Sequence, residues 1–344
     1  MSGMTTGSGS GGGDLGEGRG GGPAEQGPET VSIGTSADEQ IARARGRRLP
    51  AWFIILWRDA KCRVGMIMVA SFALIAVLAP VIAPFDPKES VGAGNLMPGQ
   101  DGFLLGTTDR GEDVFSQLLI GAQTSMLVGV VAGVISSIIG LIIGLVAGYR
   151  QGWVDDILSF LINLGLVVPT LPLMVTLASY SPVRGVWLII FVISVTGWAY
   201  GARIKRSQVL TLRTRDFVEA ARLAGDGTWR IITREIMPNM SSLIVVGFMG
   251  AALGAIGGEA GLSFLGLGDP QTVSWGAMLN QASTGSALLI GQWGWVVAPG
   301  LALALLITSF TLINFGVDAL SNPHLREKAP RPATRRKAAK EATA

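Results

Sequence analysis

The chain has 344 residues, of which 49% are hydrophobic and 15% are charged, and its formal net charge is +3. Its apolar residues form several continuous runs of about 20 residues or more, long enough for a helix to cross a bilayer, and these runs lack the alternation of membrane β-strands. The composition therefore predicts an all-α membrane protein and excludes an ordinary soluble domain.

Polar segments flank the apolar part of the chain at both ends. Residues 1–46 are rich in Gly and Ser, which is typical of a disordered tail, and they lack the apolar core of a signal peptide. Residues 47–63 interleave aromatic and basic residues, which predicts a short helix on a membrane surface that carries anionic lipid. Residues 323–344 predict a second, basic tail.

Six apolar runs within residues 64–322 are predicted to be transmembrane helices. Their expected bounds are 64–83, 121–149, 154–180, 186–203, 240–262 and 296–320. The second run would be roughly 43 Å long as a helix, which exceeds the ~30 Å hydrocarbon core, so it must tilt or project from the membrane. Pro169 and Pro172 predict a kink in the third run, which could line a pathway or serve packing alone.

The distribution of Lys and Arg near the span ends predicts that both termini are cytoplasmic. The segment before the first run, the segment between the fourth and fifth runs and the C-terminal tail are strongly basic. The segment after the first run is acidic, and the segment after the fifth run is nearly uncharged. An even number of spans agrees with this orientation.

Glycines recur at four-residue spacing in two of the runs, which lets helix backbones approach closely. They are Gly140, Gly144 and Gly148 in the second run and Gly250, Gly254 and Gly258 in the fifth. Such glycines could pack within this subunit or against a second membrane subunit, and composition does not decide between the two.

Ionisable side chains are almost absent from the predicted spans. Glu259 is the exception, and its distance from Pro238 predicts an interfacial position near the outer surface. A proton-coupled carrier would need carboxylates or histidines at mid-depth, but the single histidine, His324, lies in the polar tail. Cys62 is the only cysteine, so neither a disulfide nor a His/Cys metal site is expected.

Nucleotide-binding and hydrolytic motifs are also missing from the sequence. It contains no Walker A loop, no HExxH helix and no G-x-S-x-G elbow. We therefore expect a chain that is not an enzyme and that binds no cofactor itself.

A charged, amphipathic segment separates the fourth and fifth runs. Asp216 and Glu219 have the spacing of a capping box, and Gly225 suits the left-handed position after a helix. A second short amphipathic helix is expected to follow and to end at Pro238. Two short helices that meet at a glycine could form a solvated loop or a docking element for a partner.

The sequence EAARLAG, at residues 219–225, is followed by EIMP at residues 235–238. This pattern resembles the EAA loop of ABC-importer permeases, with Met237 in place of the usual leucine. The resemblance implies that the first short helix is a cytoplasmic coupling helix that docks in a cleft of an ATPase. The coupling residues that it implies are Glu219, Ala220, Ala221, Leu223, Gly225 and Pro238.

Other segments resemble the C-type subunits of the dipeptide/oligopeptide (nickel) permease family. They are LLGTTDRGEDVFSQLLIGAQTSMLVG, AGYRQGWVDD, EAGLSFLGLGDP, SWGAMLNQA and PGLALALLITSFTLINFGVDAL. The resemblance covers roughly residues 51–326. Glu112, Gln117 and Gln123 stand where relatives often carry arginine, so any contact of those arginines with a binding protein or substrate is not carried over to this chain.

This resemblance implies a type I ABC importer permease fold with six transmembrane helices in the bacterial plasma (inner) membrane. The implied partners are a homologous B-type permease, two ABC ATPases that bind ATP and Mg²⁺, and an extracytoplasmic substrate-binding protein. The implied activity is import of peptides by alternating access through the lipid bilayer, with no nucleic-acid partner. Dipeptides, longer peptides, glutathione and nickel complexes remain open as substrates.

Two other function classes remain as alternatives. A secondary transporter or channel would work without ATPases, but it would leave the EAA loop unexplained. A membrane-bound enzyme would need a catalytic constellation that the sequence lacks.

Overall fold

The computed structural model describes residues 59–321 and the side chains of residues 59–317. The predicted disordered tail, most of the predicted surface helix and the predicted basic C-terminal tail lie outside the described residues.

The described part of the chain is helical, and its helices are numbered here in chain order. They are α1 (Ala60–Ile82), α2 (Val114–Tyr149), α3 (Trp153–Val167), α4 (Thr170–Tyr180), α5 (Val186–Thr196), α6 (Trp198–Leu212), α7 (Asp216–Leu223), α8 (Thr228–Arg230), α9 (Met237–Asn239), α10 (Ser241–Phe264), α11 (Trp275–Thr284) and α12 (Trp293–Ser321). A π-helical stretch, Ile231–Ile236, connects α8 directly to α9.

Five stretches are long and apolar enough to cross a membrane. They are α1, α2, the α5–α6 pair, α10 and most of α12. A sixth is the α3–α4 pair, counted as one broken span, because its two helices meet at 89° around Pro169. The six predicted runs fall on these stretches, which confirms an all-α membrane fold with six membrane segments when the bent pair is counted as one.

Helix α2 begins seven residues earlier than the predicted bound of residue 121. Asp113 caps it, because its carboxylate accepts hydrogen bonds from the backbone N–H groups of Phe115 and Ser116. The Ser116 side chain also donates to this carboxylate at 2.6 Å. Ser116 and Gln117 interrupt the apolar sequence in the first turn of α2, and the predicted start was placed after them.

Helix α6 extends to Leu212, nine residues beyond the predicted end of the fourth run at residue 203. The predicted fourth run ended before most of the basic residues of α6, but two of these residues contact the bundle. Lys205 is buried, and Arg206 forms a two-pronged ion pair with Asp155 of α3, with N–O distances of 2.6 and 2.8 Å. The ion pair between Arg206 and Asp155 therefore stabilises the helix past the point where its composition becomes polar.

The glycines of α2 face the backbone of α6. A Cβ atom on Gly140 would lie 2.9 Å from the Trp198 carbonyl oxygen, and one on Gly144 would lie 2.7 Å from the Ala202 carbonyl oxygen. A Cβ atom on Gly148 would likewise lie 2.9 Å from the Arg206 carbonyl oxygen. Since no side chain separates them, the two helices touch backbone to backbone.

The second set of glycines behaves differently. Cβ atoms on Gly250 and Gly254 would meet nothing within 4 Å, whereas one on Gly258 would lie 3.5 Å from the Met174 sulfur. Gly250 and Gly254 therefore make no close helix contact within the described part of this subunit, and packing against a second subunit stays a prediction.

We expect Gly144→Ala to destabilise the subunit and Gly254→Ala to leave it unchanged. The methyl group at residue 144 would press on the backbone of α6, and overpacking of this kind costs roughly 1–3 kcal/mol. The same methyl group at residue 254 meets open space. The measurement is the thermal unfolding midpoint of each variant, purified alone in mild detergent. Equal midpoints for the two variants would contradict the packing described above.

Candidate functional site

The segment between α6 and α10 forms a helical elbow, which we define as residues 216–239. Helix α7 ends in a Schellman arrangement: the Asp226 N–H donates to the Ala221 carbonyl oxygen and the Gly225 N–H donates to that of Arg222, both at 3.0 Å. Gly225 has a φ of +83°, which L side chains rarely adopt. The glycine predicted at this position therefore sets the angle at which the chain turns from α7 towards α8.

The start of α7 differs from the predicted capping box. Helix α7 begins at Asp216, so that Arg215 occupies the N-cap position with an extended backbone and no side-chain cap. Asp216 and Glu219 therefore both lie in the first turn, where their negative charges favour the helix N-terminus through the helix dipole.

One face of the elbow packs against the membrane helices. Val218 is fully buried in an apolar cluster with Leu145 of α2, Val209 of α6 and Met240. Ala221 packs against the edge of the same cluster. The elbow is therefore attached to α2, to α6 and to the residue that precedes α10.

An additional contact ties α7 to the end of α2. The guanidinium carbon of Arg222 lies 5.3 Å from the centre of the Tyr149 ring, within the range of a cation–π contact. The Arg222 Nε also donates a hydrogen bond of 3.4 Å to the Tyr149 hydroxyl.

The other face of the elbow is exposed and partly apolar. Leu223 is 86% exposed and Trp229 is 60% exposed. Glu219, Ala220 and Pro238 are exposed too. Of the six predicted coupling residues, the structure thus places five on the outer face of the elbow or at its hinge, and one, Ala221, partly buried beneath it.

A cavity of about 480 Å³ lies between the helices and opens to the outside of the subunit, where its lining residue Tyr200 is 69% exposed. Its walls come from α2, α4, α5, α6, α10 and α12, and they include Thr170, Gly197, Gly250 and Gly254. The break between α3 and α4 therefore borders this cavity, which favours the pathway interpretation of the predicted kink. The open glycines of α10 border it as well.

Lys205 is the only charged residue among those that line the cavity in the described part of the chain. It is 1% exposed, and its Nζ has no hydrogen-bond partner among the described groups. The sequence analysis did not identify Lys205 as a site residue, because the predicted fourth run ended at residue 203. The spacing of Ala199, Ala202 and Val209 around it, which repeats every three or four residues, is the signal that could have placed it on an inward helix face.

Glu259 is buried between helices rather than exposed on the surface of the subunit. Its side chain is 0% exposed, and its carboxylate accepts hydrogen bonds from Ser263 at 2.7 Å and Ser125 at 3.3 Å. Ser274, which caps α11, lies beside the same carboxylate. The distance along the axis of α10 predicted the depth of Glu259 in the membrane, but it could not show which way the side chain points. The side chain faces α2 and α11 rather than lipid.

The polar side chains of Glu112, Gln117 and Gln123 are turned inward. The Gln117 side-chain amide donates to Glu112 at 2.8 Å and to the Pro87 carbonyl oxygen at 2.9 Å. Gln123 donates to the Ala76 carbonyl oxygen at 2.7 Å. These residues hold the α1–α2 segment against α1 and α2, and Glu112 and Gln117 are buried.

We expect Glu259→Leu to destabilise the protein more than Glu259→Gln. Leucine removes every acceptor from the buried serine hydroxyls, and each unsatisfied buried group costs roughly 1–3 kcal/mol, whereas glutamine keeps one acceptor oxygen. The measurement is the thermal unfolding midpoint in detergent, together with protease cleavage between residues 265 and 292. A leucine variant as stable as the wild type would show that the serines do not depend on this carboxylate.

Comparison with known proteins matches this chain to membrane components of transport systems, both by family and by individual relatives. Residues 140–327 match the family described as binding-protein-dependent transport system inner membrane component. The chain is 34% identical to the dipeptide transport system permease protein DppC of Bacillus subtilis, over 78% of this chain and 85% of that protein. It is 33% identical to the oligopeptide transport system permease protein OppC of the same organism, over 79% of this chain and 91% of that protein.

Two further similarities extend this comparison. The di/tripeptide transport system permease protein DppC of Pseudomonas aeruginosa is 34% identical over 77% of this chain and 88% of that protein. A chain of the inward-facing MetNI methionine ABC transporter superposes with a TM-score of 0.49 and 18% identity, over 60% of this chain and 94% of that chain. The family match covers more than half of the chain, and the DppC and OppC permeases exceed 30% identity over most of it. The chain therefore belongs to the family of binding-protein-dependent transport system inner membrane components and has their type I importer permease fold.

Proposed function

We propose that this chain is a membrane subunit of an ATP-driven peptide importer and that its elbow docks on a cytoplasmic ATPase. Three similar proteins are named as permeases for dipeptides, oligopeptides or di- and tripeptides, which supports a peptide substrate. The observation that carries the ATPase contact is the two-faced elbow, with a buried face inside the bundle and an apolar face left uncovered.

The uncovered face has the composition of a docking surface. Leu223 and Ala220 lie three residues apart on α7, so both project from the same side of the helix. Trp229 adds an exposed aromatic side chain beyond the turn. A short amphipathic helix with such anchors fits a groove in a partner protein.

The orientation of the elbow follows from its charge. Arginine is frequent from α6 to α9, and Lys and Arg concentrate on the cytoplasmic side of membrane proteins. The elbow therefore faces the cytoplasm, where ATP is hydrolysed, and both chain termini lie on that side too. The loops at the opposite end face the extracytoplasmic binding protein.

The buried face of the elbow provides the means to transmit movement. Val218 contacts the cluster formed by α2, α6 and the start of α10, and Arg222 holds Tyr149 at the end of α2. A displacement of the elbow by the ATPase therefore displaces these helices together as packed bodies. Because the same helices line the cavity, such a displacement changes access to it, which is what alternating access requires.

The complete importer contains further chains in this proposal. A homologous B-type permease covers the open glycine face of α10, where Gly250 and Gly254 have nothing within 4 Å. Two ATPases bind ATP and Mg²⁺, and an extracytoplasmic binding protein delivers the peptide. This chain contributes the pathway and its coupling, and it performs no covalent chemistry.

We expect Gly225→Val to weaken ATPase docking and peptide uptake, while Gly227→Val leaves both unchanged. Valine in a left-handed conformation costs roughly 1–2 kcal/mol, which corresponds to about 5- to 30-fold in an equilibrium constant. Gly227 has a φ of −71°, which valine adopts freely, and neither site has an atom that would clash with a Cβ. The measurements are ATPase co-purification and ATP-driven uptake of trialanine by the reconstituted importer.

Membrane insertion of both variants, checked by detergent size-exclusion chromatography, serves as the control. Gly225→Asn, whose side chain tolerates the left-handed region, should recover most of the lost docking. Normal docking and uptake by Gly225→Val would contradict the proposed role of the elbow.

A further inference from the structure

The room for the Lys205 side chain is made by glycines on its own helix, α6, and on the two neighbouring helices α2 and α10. A Cβ atom on Gly247 of α10 would lie 3.1 Å from the Lys205 Nζ, and one on Gly201 would lie 3.3 Å from it. At the base of the side chain, a Cβ atom on Gly144 of α2 would lie 2.9 Å from the Lys205 Cβ. Lys205 is therefore enclosed by α2 and α10 at the wall of the cavity, and its ammonium group is buried there.

An ammonium group in this position lacks the partner that it needs. Ionisable residues inside membrane segments are costly and are almost always paired or turned towards a pathway. The other basic residue at this level of α6, Arg206, has such a partner in Asp155, whereas Lys205 has none among the described groups and no acidic residue lines its cavity. The unmet demand is for a negatively charged group other than those of the described residues.

The remaining lining of the cavity suits a short peptide. Asn314 of α12 lines the same space, and its side-chain oxygen also has no hydrogen-bond partner among the described atoms, so it can accept a hydrogen bond from a peptide N–H. Met174, Trp198 and Leu243 provide apolar walls. A volume of about 480 Å³ lies in the range of small-ligand pockets, roughly 300–1,000 Å³.

We propose that Lys205 is a carboxylate-binding residue of the transport pathway and that its ammonium group binds the C-terminal carboxylate of the peptide in the cavity between α6 and α10. This inference rests on the proposed function and adds to it a substrate contact within the membrane. The C-terminal carboxylate is the negative charge that all unmodified linear peptides share, so a single lysine can serve peptides of different sequence. A contact that is lost when the helices separate holds the peptide only in one state of the cycle.

The position of Lys205 along the bundle agrees with this role. It precedes the end of α6 by seven residues, and Gly247 follows the start of α10 by six, so both lie about 10 Å along the helix axes from the elbow end. The site therefore lies near the helix ends that the elbow displaces.

The test is equilibrium binding of trialanine and of trialanine amide to the permease–ATPase complex, purified without its binding protein so that this protein cannot select between them. We expect the wild-type complex to bind the free acid at least 10-fold more tightly than the amide. In Lys205→Met the preference should fall to about one, because only the acid loses its partner. Arg203→Met, which removes an exposed charge from the same helix outside the cavity, should keep the wild-type preference.

Several results would overturn the inference. A wild-type complex that binds acid and amide equally, or binds neither, contradicts it without any variant, while ATP-driven trialanine uptake by the same complex with its binding protein would leave the proposed function intact. An equal loss of both ligands in Lys205→Met would assign the lysine a purely structural role. Loss of the second permease from that variant would mean that Lys205 pairs with a carboxylate of that subunit instead.

Discussion

The glycine face of α2 brings this helix into backbone contact with two neighbours, and the positions of the other helices depend on these contacts. Gly140, Gly144 and Gly148 lie against α6, and a Cβ atom on Gly133 would lie 2.6 Å from the Ala252 Cα of α10. Because no side chain separates α2 from either helix, α6 and α10 are held close on two sides of it. The cavity lies between them, and the elbow connects their ends.

This arrangement explains why the elbow and the cavity belong to one mechanical unit. The elbow packs only where α2, α6 and α10 end, so its buried residue Val218 touches all three through one cluster. The same helices line the cavity further along. A bundle held by backbone contact and small residues is stiff, and it passes displacement at one end to the other rather than absorbing it locally. Coupling over this distance therefore needs no specialised relay of polar residues.

The features that could be predicted from the sequence are those that local chemistry determines. Helix length and hydropathy predicted the membrane segments. The need for a left-handed residue after α7 predicted that Gly225 forms the turn. The features that could not be predicted depend on partners distant in sequence. Glu259 is buried because three serines from separate elements surround it, and α6 continues through Arg206 because Asp155 neutralises that charge. Lys205 was placed outside the membrane helices because the composition of a segment gives the number of charged residues but not which of them point inward.

The central claim is that the apolar outer face of the elbow contacts an ATPase, and photo-cross-linking from that face tests it most directly. Cys62 is the single native cysteine and is buried, so a Cys62→Ser background accepts one new label at a chosen position. Leu223→Cys and Val183→Cys, the latter exposed at the opposite end of the bundle, would each carry a benzophenone maleimide in the assembled importer. The account predicts an ATPase adduct, identified by mass spectrometry, from residue 223 and none from residue 183. An ATPase adduct from residue 183, or none from residue 223 in a complex that retains its ATPase, would contradict it.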